Sequence, residues 1–267
     1  MLKDITLGQF FPGNSAVHNM DPRLKIVITL LYVTLIFTAK NFYAFAVYFL
    51  FVAAAVFCSK IPFKFVFKGL KPLIFIIILT GLLNVFMTNG TVAFQVFNTP
   101  IKATWEGINL AAFMIIRLVL LIMGTSILTL TSSPISLTDG LEYLLNPLKK
   151  LKFPVHELSM MMTIAIRFIP TLLEETEKIM KAQKARGADF ESGSLIKRAK
   201  AMVPILAPLF ISSFRRADEL AMAMESRCYN GGDGRTKLKQ LRMQKSDYTI
   251  AAICAAVLIF AAVIGQI

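Results

Sequence analysis

Two arginine-centred triplets, Ala185-Arg186-Gly187 and Ser226-Arg227-Cys228, lie 41 residues apart in a strongly basic stretch. Their chemistry is recognition rather than bond-making. A guanidinium is planar, permanently charged and forked, so it binds carboxylates or carbonyls in several directions at once. The small neighbours Ala185, Gly187 and Ser226 let each arginine approach another backbone closely. A single arginine in the last turn of a helix has a simpler explanation, because free carbonyls and the helix dipole favour a cation there. Two copies at matching positions on successive amphipathic segments point instead to a shared task.

Few other residues could do chemistry. The histidines are His18 and His156, and neither has a Cys or acidic cluster at metal-ligand spacing. They read as surface or capping residues. Cys58, Cys228 and Cys254 are scattered, with no C-x-x-C pair, so neither a metal site nor a disulfide framework is expected. No G-x-x-x-x-G-K-[ST] loop occurs, so the chain cannot supply its own ATP site. Asp139 and Glu142, or Asp189 and Glu191, are too sparse for a divalent-metal phosphotransfer centre. A membrane-bound transferase acting on lipid phosphates is therefore a weak alternative. No catalytic residue and no cofactor is expected.

Composition says what must position the arginines. The chain has 267 residues, 56% hydrophobic and 17% charged, with a mean hydropathy of +0.64. Ordinary soluble domains carry about 45–50% apolar and 25% charged residues. Twenty-two Phe and thirteen Met suit lipid-facing and adaptable packing surfaces. Residues 1–23 are too polar for a cleavable leader. Apolar runs at about 24–39, 42–58, 72–88, 107–130 and 249–267 predict five membrane spans, the first three short for the roughly 20 residues a crossing needs. The first two runs, joined by Lys40-Asn41, read as a helical hairpin.

Charge placement orients them. With the N-terminus inside, 19 Lys and Arg of residues 131–248 are cytoplasmic, and Lys40 and Lys102 are the only cations in outside loops. The net charge of +13 is thereby explained by topology. Nucleic-acid binding is not needed, and the basic region lacks the aromatic interleaving that base stacking uses. The four lysines Lys60, Lys64, Lys68 and Lys71 read as anchors to anionic lipid. Trp105, near the end of the loop 89–106, reads as an interfacial anchor. Arg117, inside the fourth run, is costly there and is either a structural partner or a functional group. The C-terminus falls outside.

The segments Leu158–Pro170 and Met202–Phe214 are about 13 residues each, too short to span. They are instead the apolar starts of two long amphipathic helices. Met161, Ala165 and Phe168 lie on one stripe, and Met202, Leu206 and Leu209 on the other. Both stripes should pack against a membrane partner or the remaining spans. Gly187 should stop the first helix and Gly231-Gly232 the second. A shorter helix at 137–150 should precede them. Three regions follow: 1–130 with four spans, 131–248 in the cytoplasm, and 249–267 as the last span. The fold class is all-α, a polytopic membrane protein with a cytoplasmic domain of long amphipathic helices.

Three features together resemble the transmembrane T component (EcfT) family of energy-coupling factor transporters. The first is Gly13-Asn14-Ser15 followed by His18-Asn19-Met20-Asp21-Pro22-Arg23-Leu24-Lys25. The second is Thr129-Leu130-Thr131-Ser132-Ser133-Pro134. The third is the arginine pair, within Lys184-Ala185-Arg186-Gly187 and Glu225-Ser226-Arg227-Cys228-Tyr229. The resemblance covers essentially the whole chain, and Ser226 and Cys228 depart from the Ala-Arg-Gly pattern. It implies a non-enzymatic subunit in the cell membrane, coupling two cytoplasmic ABC-type ATPases to a membrane S component that captures a vitamin or a transition-metal ion. It further implies that two crossing helices set Arg186 and Arg227 on the two ATPases, which bind the ATP.

Overall fold

The computed structural model describes residues 10–95, 102–190, 194–231, 241 and 243–266. The helices are α1 (Ala16–Asn19), α2 (Pro22–Ile36), α3 (Phe42–Ser59), α4 (Phe63–Leu70), α5 (Ile74–Met87), α6 (Trp105–Thr131), α7 (Pro134–Leu145), α8 (Val155–Ala185), α9 (Leu195–Glu225) and α10 (Lys245–Ile264). A small antiparallel pair, β1 (Val92–Gln95) and β2 (Lys102–Thr104), lies between α5 and α6. The expected loop thus contains a short hairpin, and Trp105 stands exposed at its exit. The chain folds as two compact units. One runs to Leu141 and resumes at Leu241; the other is Glu142–Gln240.

In the first unit, four stretches are long and apolar enough to cross a membrane: Phe42–Ser59, Phe63–Met87, Trp105–Thr131 and Lys245–Ile264. The second of these is longer than its hydropathy run suggested. α4 and α5 join through a 3-10 turn, Lys71–Leu73, in which Pro72 removes one backbone donor. The lysines of α4 mask the first turns of the rod from a hydropathy reading.

α2 is the exception. Its 15 residues reach about 22 Å, short of the roughly 30 Å hydrocarbon core. Hydrogen bonds at both ends nevertheless tie it along α10. Arg23 Nη2 donates to Leu241 O at 3.2 Å, and Lys40 N donates to Gly265 O at 3.2 Å. The two helices therefore run parallel, start beside start and end beside end. Close approach at the far end needs Gly265, since a Cβ there would lie 3.1 Å from Ala39 Cα. Asp21 caps α2 by accepting from Arg23 N at 2.9 Å, with Pro22 preorganised at the first helical position. α10 opens on a capping box between Gln244 and Asp247.

The core of this unit lies where α2, α3, α6 and α10 meet, on Tyr32, Ile36, Tyr48, Val52, Leu120 and Leu258. Tyr32 and Tyr48 pack edge to face at 6.0 Å, and the Tyr32 hydroxyl donates to Leu120 O at 2.7 Å. No more than 33% of any span's apolar window is buried. The remaining apolar surface faces outward, as a bilayer solvent permits.

In the second unit, α8 and α9 are 31 residues each. Neither is among the helices apolar enough to span, in keeping with their charged ends. Pro170 interrupts the backbone ladder of α8, and Pro204 and Pro208 that of α9. Ahead of α8, the helix expected at 137–150 is α7 plus a 3-10 segment, Asn146–Leu151.

Candidate functional site

The two arginines occupy the same place in the same backbone motif. At the end of α8, Gly187 N donates to Lys184 O (3.0 Å) and Ala188 N to Gln183 O (3.0 Å). At the end of α9, Cys228 N donates to Glu225 O (2.8 Å) and Tyr229 N to Met224 O (3.0 Å). Both pairs are Schellman closures, in which a left-handed residue turns the chain off the helix. The left-handed residue is Gly187 (φ 87°) in one and Cys228 (φ 56°) in the other. Arg186 and Arg227 each sit immediately before it. The second helix was expected to stop at Gly231-Gly232. Instead it closes three residues earlier on a cysteine, while Gly231 takes φ 83° beyond the turn and Gly232 lies outside the described residues.

Ala185, Arg186, Gly187, Ser226, Arg227 and Cys228 are all exposed. Neither guanidinium has a hydrogen bond or ion pair among the described residues. Both charges therefore project from a fixed turn with their donors unspent, as a docking group for an acceptor-rich surface would.

One polar clamp joins the helices that carry them. Arg216 Nη2 donates to Glu175 Oε2 at 2.9 Å, and Ser212 Oγ donates to Glu175 Oε1. The Ser212 hydrogen bond, with help from Arg216, holds the Glu175 carboxyl below its usual range. Arg186 lies 11 residues beyond Glu175, and Arg227 lies 11 beyond Arg216. Each terminus thus stands about 16 Å along its helix from the clamp.

The predicted apolar stripes are open surface in this unit. Met161, Ala165, Met202 and Leu206 are exposed, and Phe168 and Leu209 are half-buried. Val203, Phe210, Ile211 and Phe214 extend the exposed apolar surface of α9, and sequence periodicity gave them no place on the stripe. At the head of α8, Glu142 accepts from Ser159 Oγ at 2.6 Å and pairs with His156 Nδ1 at 3.1 Å. His156 is therefore a tether of α8 to the segment before it.

The N-terminal motif and the Thr-Ser-Ser motif converge in the first unit. Lys25 Nζ donates to His18 O (3.0 Å), Thr131 O (3.2 Å) and Ser132 Oγ (3.3 Å), which uses all three ammonium protons. His18 Nε2 faces Phe11 O at 3.0 Å, and a carbonyl only accepts, so that nitrogen carries the proton; Nδ1 is left to Ser15 Oγ at 2.7 Å. These residues form a polar knot that fixes the exit of α6 against the start of α2. Arg117 is resolved in the same way. Its Nη2 donates to Ala39 O at 2.8 Å past the end of α2, with the Phe37 and Phe45 rings each 5.8 Å from the guanidinium carbon. It satisfies a carbonyl of the connection between α2 and α3 inside the membrane unit. Among the described residues, no three His, Cys, Asp or Glu side chains group as metal ligands.

The family model described as "Cobalt transport protein" (CbiQ) matches residues 13–238. The energy-coupling factor transporter transmembrane protein EcfT of Clostridium kluyveri is 54% identical over 268 residues, covering 100% of this chain and 98% of its own length. The chain belongs to the EcfT family. The EcfT of Ruminiclostridium cellulolyticum is 55% identical, covering 95% of this chain and 94% of its own. That of Bacillus subtilis is 48% identical, covering 97% and 99%. Membership makes this a multi-pass membrane protein of the transport machinery, and the EcfT resemblance read from the three motifs is correct.

Proposed function

We propose that the chain is the coupling subunit of an energy-coupling factor transporter. It links two cytoplasmic ABC-type ATPases to a membrane S component for ATP-driven uptake of a vitamin or another micronutrient. The observation that carries this reading is the matched pair of closures ending in Arg186 and Arg227, equidistant from the Glu175–Arg216 clamp. Each arginine, with Ala185 and Gly187 or Ser226 and Cys228 beside it, docks on one ATPase. Closure of the ATPase pair moves two helices already fastened to each other. The exposed stripes of α8 and α9, with Met161 and Met202 among them, receive the S component or the remaining spans, and thioether-rich surfaces repack readily. The partners bind and hydrolyse the ATP, and this chain carries no cofactor and catalyses nothing itself.

The topology that serves this role has the N-terminus inside, the 131–248 region in the cytoplasm and the C-terminus outside. The parallel pairing of α2 with α10 fits it, because both helices start on the same side, and the Lys and Arg excess of residues 131–248 makes that side the inside. Coexpression with the ATPase pair and an S component tests the reading. Wild-type chain should copurify with both and support uptake, whereas Arg186→Ala with Arg227→Ala should lose ATPase association or uncouple hydrolysis from uptake. Wild-type assembly and transport by the double variant would overturn it, as would labelling of a cysteine at Lys184 from outside the cell. The lipid-phosphate transferase reading finds no supporting observation.

A further inference from the structure

The membrane unit contains an apolar groove of about 680 Å³ walled by α2, α3, α6 and α10. On α10 its lining is Ile250, Ile253, Cys254, Val257 and Phe260, a single helical face. From Ile250 to Phe260 that face rises about 15 Å. On α3 the lining runs from Val47 through Ala54 to Cys58, about 16 Å. Each depth is half of the roughly 30 Å hydrocarbon core, the reach of one leaflet. Ala54 and Ala55 of α3 leave the space by supplying little side chain, while Gly124 of α6 admits the Tyr32 ring to the wall, since a Cβ there would lie 2.3 Å from Tyr32 Cε1.

The groove is open sideways, since Leu50, Ile253 and Phe260 on its rim are exposed where only lipid or another membrane protein can lie. It is also polar at one end. Lys25 and Thr131 line both the groove and an adjoining pocket of about 320 Å³ that holds His18, Asn19, Ser133 and Ser136. Lys25 stands at the start of α2 and Ile250 near the start of α10, so this polar end belongs to the side from which both helices set out. An apolar slot one leaflet deep, ending in hydroxyl and amide groups beside the buried Lys25 ammonium, has the shape of an amphiphile. Water would find almost no partners along the slot.

We propose that this groove is a binding site for one phospholipid. An acyl chain of the leaflet on the side where α2 and α10 begin fills the slot, and the headgroup rests on the polar pocket. The lipid then completes the core between α3 and α10, so the membrane unit carries a lipid as a structural part.

The test uses the full chain in nanodiscs of phosphatidylethanolamine and phosphatidylglycerol, with some phosphatidylglycerol carrying a mid-chain diazirine. After illumination, peptide mass spectrometry reads where lipid has attached. Cross-links should concentrate on the Val47–Cys58 and Ile250–Phe260 faces above the level at Phe75 and Ile78, exposed positions of α5. Ala54→Phe, or Val257→Phe from the opposite wall, should lose the groove cross-links and leave those on α5 unchanged. Groove labelling no higher than on α5 in the wild-type chain would overturn the proposal without recourse to a variant. So would undiminished groove labelling in a folded Ala54→Phe or Val257→Phe protein. The coexpressed transporter should give the same pattern, and cross-linking of an engineered Val257→Cys to a partner membrane protein in place of lipid would also reject the site.

Discussion

Arg186 and Arg227 are the same residue twice in structural terms: each precedes the left-handed turn of a Schellman closure, 11 residues past a clamp that joins their helices. The equivalence predicts equal and separable contributions to docking. Either single alanine variant should weaken ATPase association by about 30-fold or more, the range for removing one partner of a buried charge pair. Lysine should restore only part, because it keeps the charge and loses the fork. Pull-down of the ATPases from detergent-solubilised membranes measures it, and a variant that unfolds rather than undocks would show as loss of the monodisperse membrane-protein peak.

The turns themselves differ in one atom that matters. Cys228 bears a Cβ at φ 56°, where an L-residue pays roughly 1–2 kcal/mol. Gly187 has no such cost, and nothing lies within 4 Å of the position a Cβ would take there. Cys228→Gly should therefore stabilise the end of α9 by about 1 kcal/mol, and Gly187→Ala should destabilise the end of α8 by about as much, purely through backbone conformation. Hydrogen exchange of the Tyr229 and Ala188 amides, which close the two motifs, reads the difference.

The clamp should be indifferent to pH near neutrality. Glu175 has a depressed pKa in the folded protein, so its contribution is fully present above the ordinary carboxylate pKa and is lost only as the pH falls through the lower folded value. Spin labels at Lys181 and Met222 should report one narrow distance distribution at pH 7 and at pH 5. Glu175→Gln should broaden it at both, since it removes the ion pair and leaves Arg216 without its charge partner.

Two tyrosines in the membrane core should respond differently to the same substitution. Tyr32→Phe removes the hydrogen bond to Leu120 O and should cost about 1 kcal/mol. The Tyr48 hydroxyl is buried with no partner among the described residues, so Tyr48→Phe should be neutral or slightly stabilising. Thermal unfolding in one detergent compares them.

Much of this architecture could be read from residue order. Hydropathy found α3, α6 and α10 because each is a long uninterrupted apolar run, and charge placement set α8 and α9 apart from the helices apolar enough to span. It misjudged the third span because Lys64, Lys68 and Lys71 interrupt a rod that begins at Phe63. The arginines were legible as a repeated triplet, yet the end of α9 was not. Glycine is the usual sign of a left-handed cap, and Cys228 takes that conformation without it. The Lys25 knot left only a motif, since its acceptors are mostly backbone carbonyls, and every residue type has one. Arg117 could be flagged as costly in a span, but its acceptor, Ala39 O, lies 78 positions away.

The parallel pairing of α2 with α10 also sets an order on how the protein can be made. α2 is among the first helices to leave the ribosome, and its neighbour α10 follows only after the whole 134–244 segment has been synthesised. Through that interval the flank of α2 and α3 that α10 will cover stands bare in the membrane, with Ala39 O already capped by Arg117 but Lys40 N still waiting for Gly265. Docking of α10 is therefore a late step in assembling the membrane unit, held back until the 134–244 segment has been made. A ribosome stalled before Leu241 leaves a bundle with an open seam, a ready target for membrane quality control.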